Sequence, residues 1–235
     1  MDKKYCYDYP HPAVAADCAV FGFDGRNIKI LLIKRGIEPF KGCWALPGGF
    51  MRMSETADEC IRRELVEETS LRADVIEQFG VFSDIDRDPR ERVISIAYYS
   101  LIKKSSAKGG DDACDAQWFG LNELPELAFD HKEILSRAIQ TLKEKIHFEP
   151  IGFNLMDNEF TIPDLQRLYE AILDMRFDRR NFMKKILQVG VISEADSISP
   201  GTVMSRQVGR TPKYYTFNKD VYDELKRNGK FKLEF

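Results

Sequence analysis

From Gly49 to Leu71 the chain reads GFMRMSETADECIRRELVEETSL, and no other stretch limits the possible folds so tightly. Thr56 and Glu59 have the T-x-x-E spacing of a capping box, and no breaker follows before Thr69, so a helix is predicted here. At 100° per residue Glu64, Glu67 and Glu68 share one face, as i, i+3 and i+4 neighbours. Ala57, Cys60 and Ile61 fall on that same face one or two turns earlier. A Glu-rich helix usually turns its carboxylates to water, but those carboxylates then lie opposite the apolar stripe. Here they continue it. Three inward carboxylates repel one another unless a proton or a cation intervenes. Oxygen donors without histidine or thiolate suit Mg²⁺ or Mn²⁺, which keep waters and bridge substrate phosphates.

Around this helix the first 146 residues mix strand and helix patterns without a regular βαβ repeat, which predicts an α+β domain with a mixed sheet. Ala15 to Phe23 and Ile28 to Ile33 are apolar runs around an Asp24-Gly25-Arg26-Asn27 hairpin turn. Trp44 to Phe50 is a glycine-punctuated loop, and Val93 to Ile102 reads as a buried strand. Lys103 to Asp112 is a polar loop, Gln117 to Phe119 a short strand, and Asp130 to Lys145 a closing helix. With 43% hydrophobic and 31% charged residues the chain is not disordered, and no apolar run nears the roughly 20 residues that cross a bilayer. The start carries no apolar signal core, and the five cysteines are odd in number and scattered, so a reducing cytoplasm is expected.

The spacing Gly49, Glu55, Arg63, Glu64, Leu65, Glu67, Glu68, Leu71 resembles the Nudix box, with Ser70 where that family has glycine. The resemblance implies a Nudix α/β/α sandwich and hydrolysis of a nucleoside diphosphate linked to another group. It implies Glu55, Arg63, Glu64, Glu67 and Glu68 as catalytic residues. Glu64, Glu67 and Glu68 would be metal ligands, with the Gly48 carbonyl a further one, and Arg63 and Glu55 would hold the loop. Ser70 would replace a left-handed glycine cap at a cost of about 1 kcal/mol. Asp86-Arg87-Asp88-Pro89-Arg90 resembles a stretch of ADP-ribose-directed Nudix enzymes. Arg87 and Arg90 either fork onto phosphate oxygens or close a salt-bridged turn with Asp84, Asp86 or Asp88. Arg35 offers another phosphate contact. Phe40 and Trp44 stack on a base or belong to the core. His131, in Leu127-Ala128-Phe129-Asp130-His131, reads as a polar residue at a helix start.

A second domain is expected after a boundary at residues 147/148, giving 1–147 and 148–235. Charge divides there: residues 1–146 hold 21 Lys and Arg against 25 Asp and Glu, whereas 147–235 hold 14 against 13. Thr161 and Asp164 suggest another capping box, with Pro163 in the first turn, and Leu165, Leu168, Tyr169 and Ile172 mark an amphipathic helix. Asp178 is the expected N-cap of a second helix, to about Gln188, that carries Arg179, Arg180, Lys184 and Lys185. Lys213 to Phe217 reads as a strand after a Gly209-to-Pro212 turn. Helix, turn, basic helix and β-ribbon outline a winged helix-turn-helix. Arg179, Arg180 and Lys184 are the candidate groove contacts, with Arg206, Arg210 and Lys213 around the wing, although basic residues on a helix also occur as a plain solvated face.

A Nudix domain followed by a winged helix resembles the Nudix-related transcriptional regulators. Glu149 to Leu155 followed by Phe160-Thr161 is similar to their arabinose-responsive branch, alongside the branch regulating NAD metabolism. That resemblance implies a homodimer on double-stranded DNA, sensing an ADP-ribose-like nucleotide or a sugar and retaining Mg-dependent hydrolysis. The competing expectation is a pyrophosphohydrolase whose C-terminal domain only dimerises it.

Overall fold

A computed structural model describes residues 7–103, 116–195 and 212–233. Its elements, in order, are β1 (Ala13–Phe23), β2 (Ile28–Lys34), β3 (Trp44–Ala45), β4 (Gly48–Phe50), α1 (Ala57–Thr69), β5 (Val75–Phe82), β6 (Val93–Ile102) and β7 (Ala116–Gly120). They are followed by α2 (His131–Lys145), α3 (Ile151–Asn154), α4 (Ile162–Leu173), α5 (Arg179–Val189), β8 (Ile192–Glu194), β9 (Tyr215–Phe217) and α6 (Lys219–Arg227). The described residues form two compact units. One gathers 7–20, 30–100 and 116–138; the other gathers 21–29, 101–103, 139–195 and 212–233.

Among the described residues seven strands make one sheet in the order β3-β2-β1-β6-β5, with β4 paired to β1 and β7 to β2. The central strands β1 and β6 are continuous apolar runs because both faces are covered. Asp24 Oδ1 accepts the amides of Arg26 and Asn27, each at 2.8 Å, and so closes the β1–β2 hairpin. β4 runs antiparallel to β1 with Asp17 opposite Gly48, which carries the glycine loop straight into the start of α1.

Helix α1 begins with the full capping box: Thr56 accepts the Glu59 amide, and the Glu59 carboxylate accepts the Thr56 amide. It ends on Ser70, whose φ of 57° is the left-handed cap that glycine supplies in the box. The conformation is therefore kept by a residue that adopts it less readily. The buried stripe of α1 is Cys60, Ile61, Leu65 and Thr69. This corrects the expected phase: Glu64 and Glu68 flank the stripe rather than continuing it, and the Glu67 side chain is 51% exposed. Periodicity alone also missed β5, whose residues are mostly half-buried and non-alternating, and α6 beyond the ribbon.

In the C-terminal unit α4 buries Leu165, Leu168, Tyr169 and Ile172, each contributing roughly 1.5–3 kcal/mol by its removal from water. Its cap is simpler than a box: Thr161 accepts the Asp164 amide, but its hydroxyl donates to the Asp164 carboxylate at 2.7 Å. Two α4 side chains pin the turn into α5. Gln166 donates to the Phe177 carbonyl at 3.0 Å, and Glu170 accepts the Phe177 amide at 2.9 Å. Asp178 then caps α5, and Phe182 and Ile186 bury its inner face. β8 and β9 pair antiparallel, with Ile192 opposite Phe217, as the stem of the wing. The turn expected at 209–212 lies almost wholly outside the described residues.

Candidate functional site

A cleft of about 250 Å³ opens in the first unit. Gly48, Gly49 and Glu68 form one wall, Arg35 and Arg90 line it as well, and Asp17, Arg87 and His131 are buried within it. The glycines bring loop and helix together. A Cβ on Gly48 would collide with the Ala16 carbonyl, and one on Gly49 with the Glu64 carboxylate. At Gly48 the neighbour is backbone and cannot yield, so only glycine fits; at Gly49 the Glu64 carboxylate would have to move.

Glu68 points into this wall and accepts the Gly48 amide at 2.9 Å. Burial pushes its carboxyl up to about 7; the Gly48 N–H opposes that, and the nearby Glu64 and Asp17 charges add to it. Arg63 organises the outer side of the helix. It grips both Glu55 oxygens at 2.9 and 2.6 Å, and reaches Glu64 at 2.6 Å and Glu67 at 3.1 Å. The Arg63 hydrogen bonds hold Glu55 down at about 2. Glu67 also meets Arg52 at 3.5 Å. Glu64 and Glu68 therefore approach the glycine loop, whereas Glu67 is turned toward arginines. Among the described residues no three His, Cys, Asp or Glu side chains form a ready-made metal cage. Mg²⁺ does not need one, since one or two carboxylates, waters and substrate phosphates hold it. The crowded, partly buried oxygens of Glu64 and Glu68 fit that donor set.

The substrate candidates divide. Arg35 and Arg90 line the cleft, with the Arg90 fork on Asp88 at 3.0 and 2.7 Å, one of the partners foreseen for it. Arg87 lies deeper, and its fork goes instead to Asp130, at 2.8 and 2.7 Å, with Asp17 at 3.5 Å. No local spacing foretold a partner 43 residues away. Phe40 is outside the cleft lining and meets the Phe129 ring edge-on at 4.8 Å. Trp44 packs edge-on against Phe119 at 4.8 Å, which favours its core reading.

Sequence reasoning passed over Asp17, quoted Phe129 and Asp130 within a stretch without giving either a role, and gave His131 only a polar role at a helix start. Asp17 is 6% exposed, accepts the Ser95 hydroxyl and lies 3.7 Å from His131 Nε2. His131 Nδ1 accepts the Leu46 amide at 2.9 Å, which fixes the proton on Nε2, and burial lowers its pKa. A lone aspartate inside the apolar β1 run was the available signal.

On α5 the side chains of Arg179, Arg180 and Lys184 are exposed; Arg180 and Lys184 lie opposite the buried Phe182 and Ile186, and Arg179 stands in the first turn. Lys213, before β9, pairs with Glu194 across the ribbon at 2.7 Å. Arg206 and Arg210 lie outside the described residues.

Residues 11–138 match the NUDIX domain family, and residues 152–217 match the NrtR DNA-binding winged helix domain family. An ADP-ribose pyrophosphatase of Methanocaldococcus jannaschii is 51% identical over 133 residues, covering 57% of this chain and 76% of that protein. The ADPR responsive transcriptional repressor NtrR of Acinetobacter baylyi is 32% identical over 222 residues, covering 92% of this chain and 86% of that protein. The crystal structure of Shewanella oneidensis NrtR complexed with a 27mer DNA superposes with a TM-score of 0.75 at 25% identity, covering 89% of this chain and 95% of that one. The chain belongs to the Nudix family, among the transcriptional regulators that join a NUDIX domain to an NrtR-type winged helix domain.

Proposed function

We propose that this protein is an ADP-ribose-responsive regulator that binds double-stranded DNA as a homodimer. The observation that carries the reading is the presence, in one chain, of a cleft with arginines facing carboxylates and of a pinned helix-turn-helix with an exposed basic helix. ADP-ribose is favoured as the ligand because two relatives bear it in their names. Its diphosphate would lie between Arg35 and Arg90 on one side and the Gly48–Glu68 wall on the other, matching guanidinium forks to phosphate oxygens. The domain limits of this reading are 1–147 and 148–235.

Glu64 and Glu68, with the Gly48 carbonyl, would hold Mg²⁺ or Mn²⁺, and Glu67 would join them on release from Arg52 and Arg63. A bound ion would neutralise charge developing on the leaving phosphate. This chain's own residues supply the rest: Arg63 and Glu55 fix the loop, and the Gly48 amide orients Glu68. Retention of these glutamates supports a second, coexisting activity, hydrolysis of ADP-ribose.

In the C-terminal unit Arg179, Arg180 and Lys184 would enter the major groove, and Lys213 would approach the backbone beside the wing. Gel shift with DNA from the protein's own promoter tests this half. Binding should weaken with salt and with Arg180→Ala, by about 1–3 kcal/mol if the arginine forks onto a guanine. Absence of any shift in low salt would refute it.

A further inference from the structure

Phe129 takes a φ of 53°, a left-handed conformation that bulky residues rarely adopt. Its neighbours enforce it. The Ala128 amide donates to the Trp44 carbonyl at 2.8 Å, Asp130 takes both arms of Arg87, and His131 takes the Leu46 amide. Strain held in place by surrounding bonds is a mark of a side chain positioned for use.

The ring so placed meets two guanidiniums. Arg35 Cζ lies 4.7 Å from its centroid and Arg90 Cζ 5.7 Å, and Arg90 also lies 5.1 Å from the Phe50 ring. All four residues line the cleft. Guanidiniums are drawn to the negative face of an aromatic ring, so one ring anchors two like charges that would otherwise separate. Among the described residues the Arg35 guanidinium donates to two backbone carbonyls, of Pro39 at 2.9 Å and Ile37 at 3.5 Å. Asp88 takes the Arg90 fork and, with Glu68 and Asp17, also faces Arg35. Even so, burial together with the facing Arg90 loosens the proton of Arg35.

We propose that Phe129 is the positioning residue of a diphosphate clamp, holding Arg35 and Arg90 together against their repulsion at a spacing that receives the two phosphoryl groups of one ligand. The clamp rests on the ADP-ribose reading for its natural ligand but is defined by the diphosphate alone.

Calorimetric titration of the full chain with inorganic pyrophosphate, at fixed Mg²⁺, tests it. Replacing Phe129 with mono-, di- and trifluorophenylalanine keeps the ring's shape while draining its negative face. Pyrophosphate affinity is expected to fall stepwise, reaching about tenfold for the trifluoro ring. Phe129→Tyr should bind like the parent and Phe129→Leu about tenfold more weakly, with adenosine binding the same in all. A flat fluorination series, equal affinities in parent and Phe129→Leu, or no pyrophosphate binding by the parent would overturn the clamp. A parallel ADP-ribose titration separates the two claims: pyrophosphate affinity that tracks the ring, with no affinity for ADP-ribose, keeps the clamp and removes the ADP-ribose reading.

Discussion

The Gly48 amide donates to Glu68 Oε2 across 2.9 Å, tying the glycine loop to the C-terminal half of α1. The bond uses one carboxylate oxygen and leaves the other toward the cleft. Glu68→Gln keeps the size of the side chain but removes its charge. Incubation with ADP-ribose and Mg²⁺ should release AMP and ribose 5-phosphate, and the variant should lower that rate at least about hundredfold. No turnover by the parent protein, over a panel of nucleoside diphosphate derivatives, would remove hydrolysis from the account.

His131 gives a pH signature. Its pKa is lowered by burial in the folded state, so below the unfolded value of about 6.5 the unfolded chain binds a proton that the folded chain refuses. The His131 contribution to stability is therefore intact above pH 7 and declines as pH falls below about 6.5, by up to about 1.4 kcal/mol per pH unit until the folded value is reached, while Glu68, raised to about 7, works in the opposite direction. His131→Asn keeps an acceptor for the Leu46 amide without that titration. Across thermal melts from pH 7.5 to 5.5 the parent should lose stability relative to the variant, Glu68 titrating alike in both, and parallel curves would contradict the role given to His131.

Ser70 occupies a left-handed position at the end of α1. Ser70→Gly relieves that conformation and should raise the melting midpoint of the first unit by about 2 °C, less whatever the looser unfolded chain takes back. Ser70→Ala should lower it. An unchanged midpoint in both variants would mean that the cap is held without strain.

Local chemistry was the most legible part of the sequence. The Thr56–Glu59 box, the Asp178 cap and the Val93–Ile102 strand all follow from neighbours within a few positions, and the structure has each of them. The carboxylate helix was legible too, but its phase was read too broadly. Arg52 and Arg63 draw Glu67 outward, and helical periodicity carries no information about such partners. The least legible features depend on long separations. Arg87 joins Asp130, Leu46 joins His131, and Phe129 meets Arg35 and Arg90 only after the sheet has brought these segments together. β5 escaped because its half-buried residues show neither alternation nor a continuous apolar run.

Fluorescence anisotropy of labelled promoter DNA, followed as ADP-ribose is added at constant salt, tests the central claim most directly. Saturable binding to DNA that changes with ADP-ribose is expected, with a response shifted to higher ADP-ribose when Arg35 or Arg90 is replaced by alanine. DNA affinity indifferent to saturating ADP-ribose would contradict it.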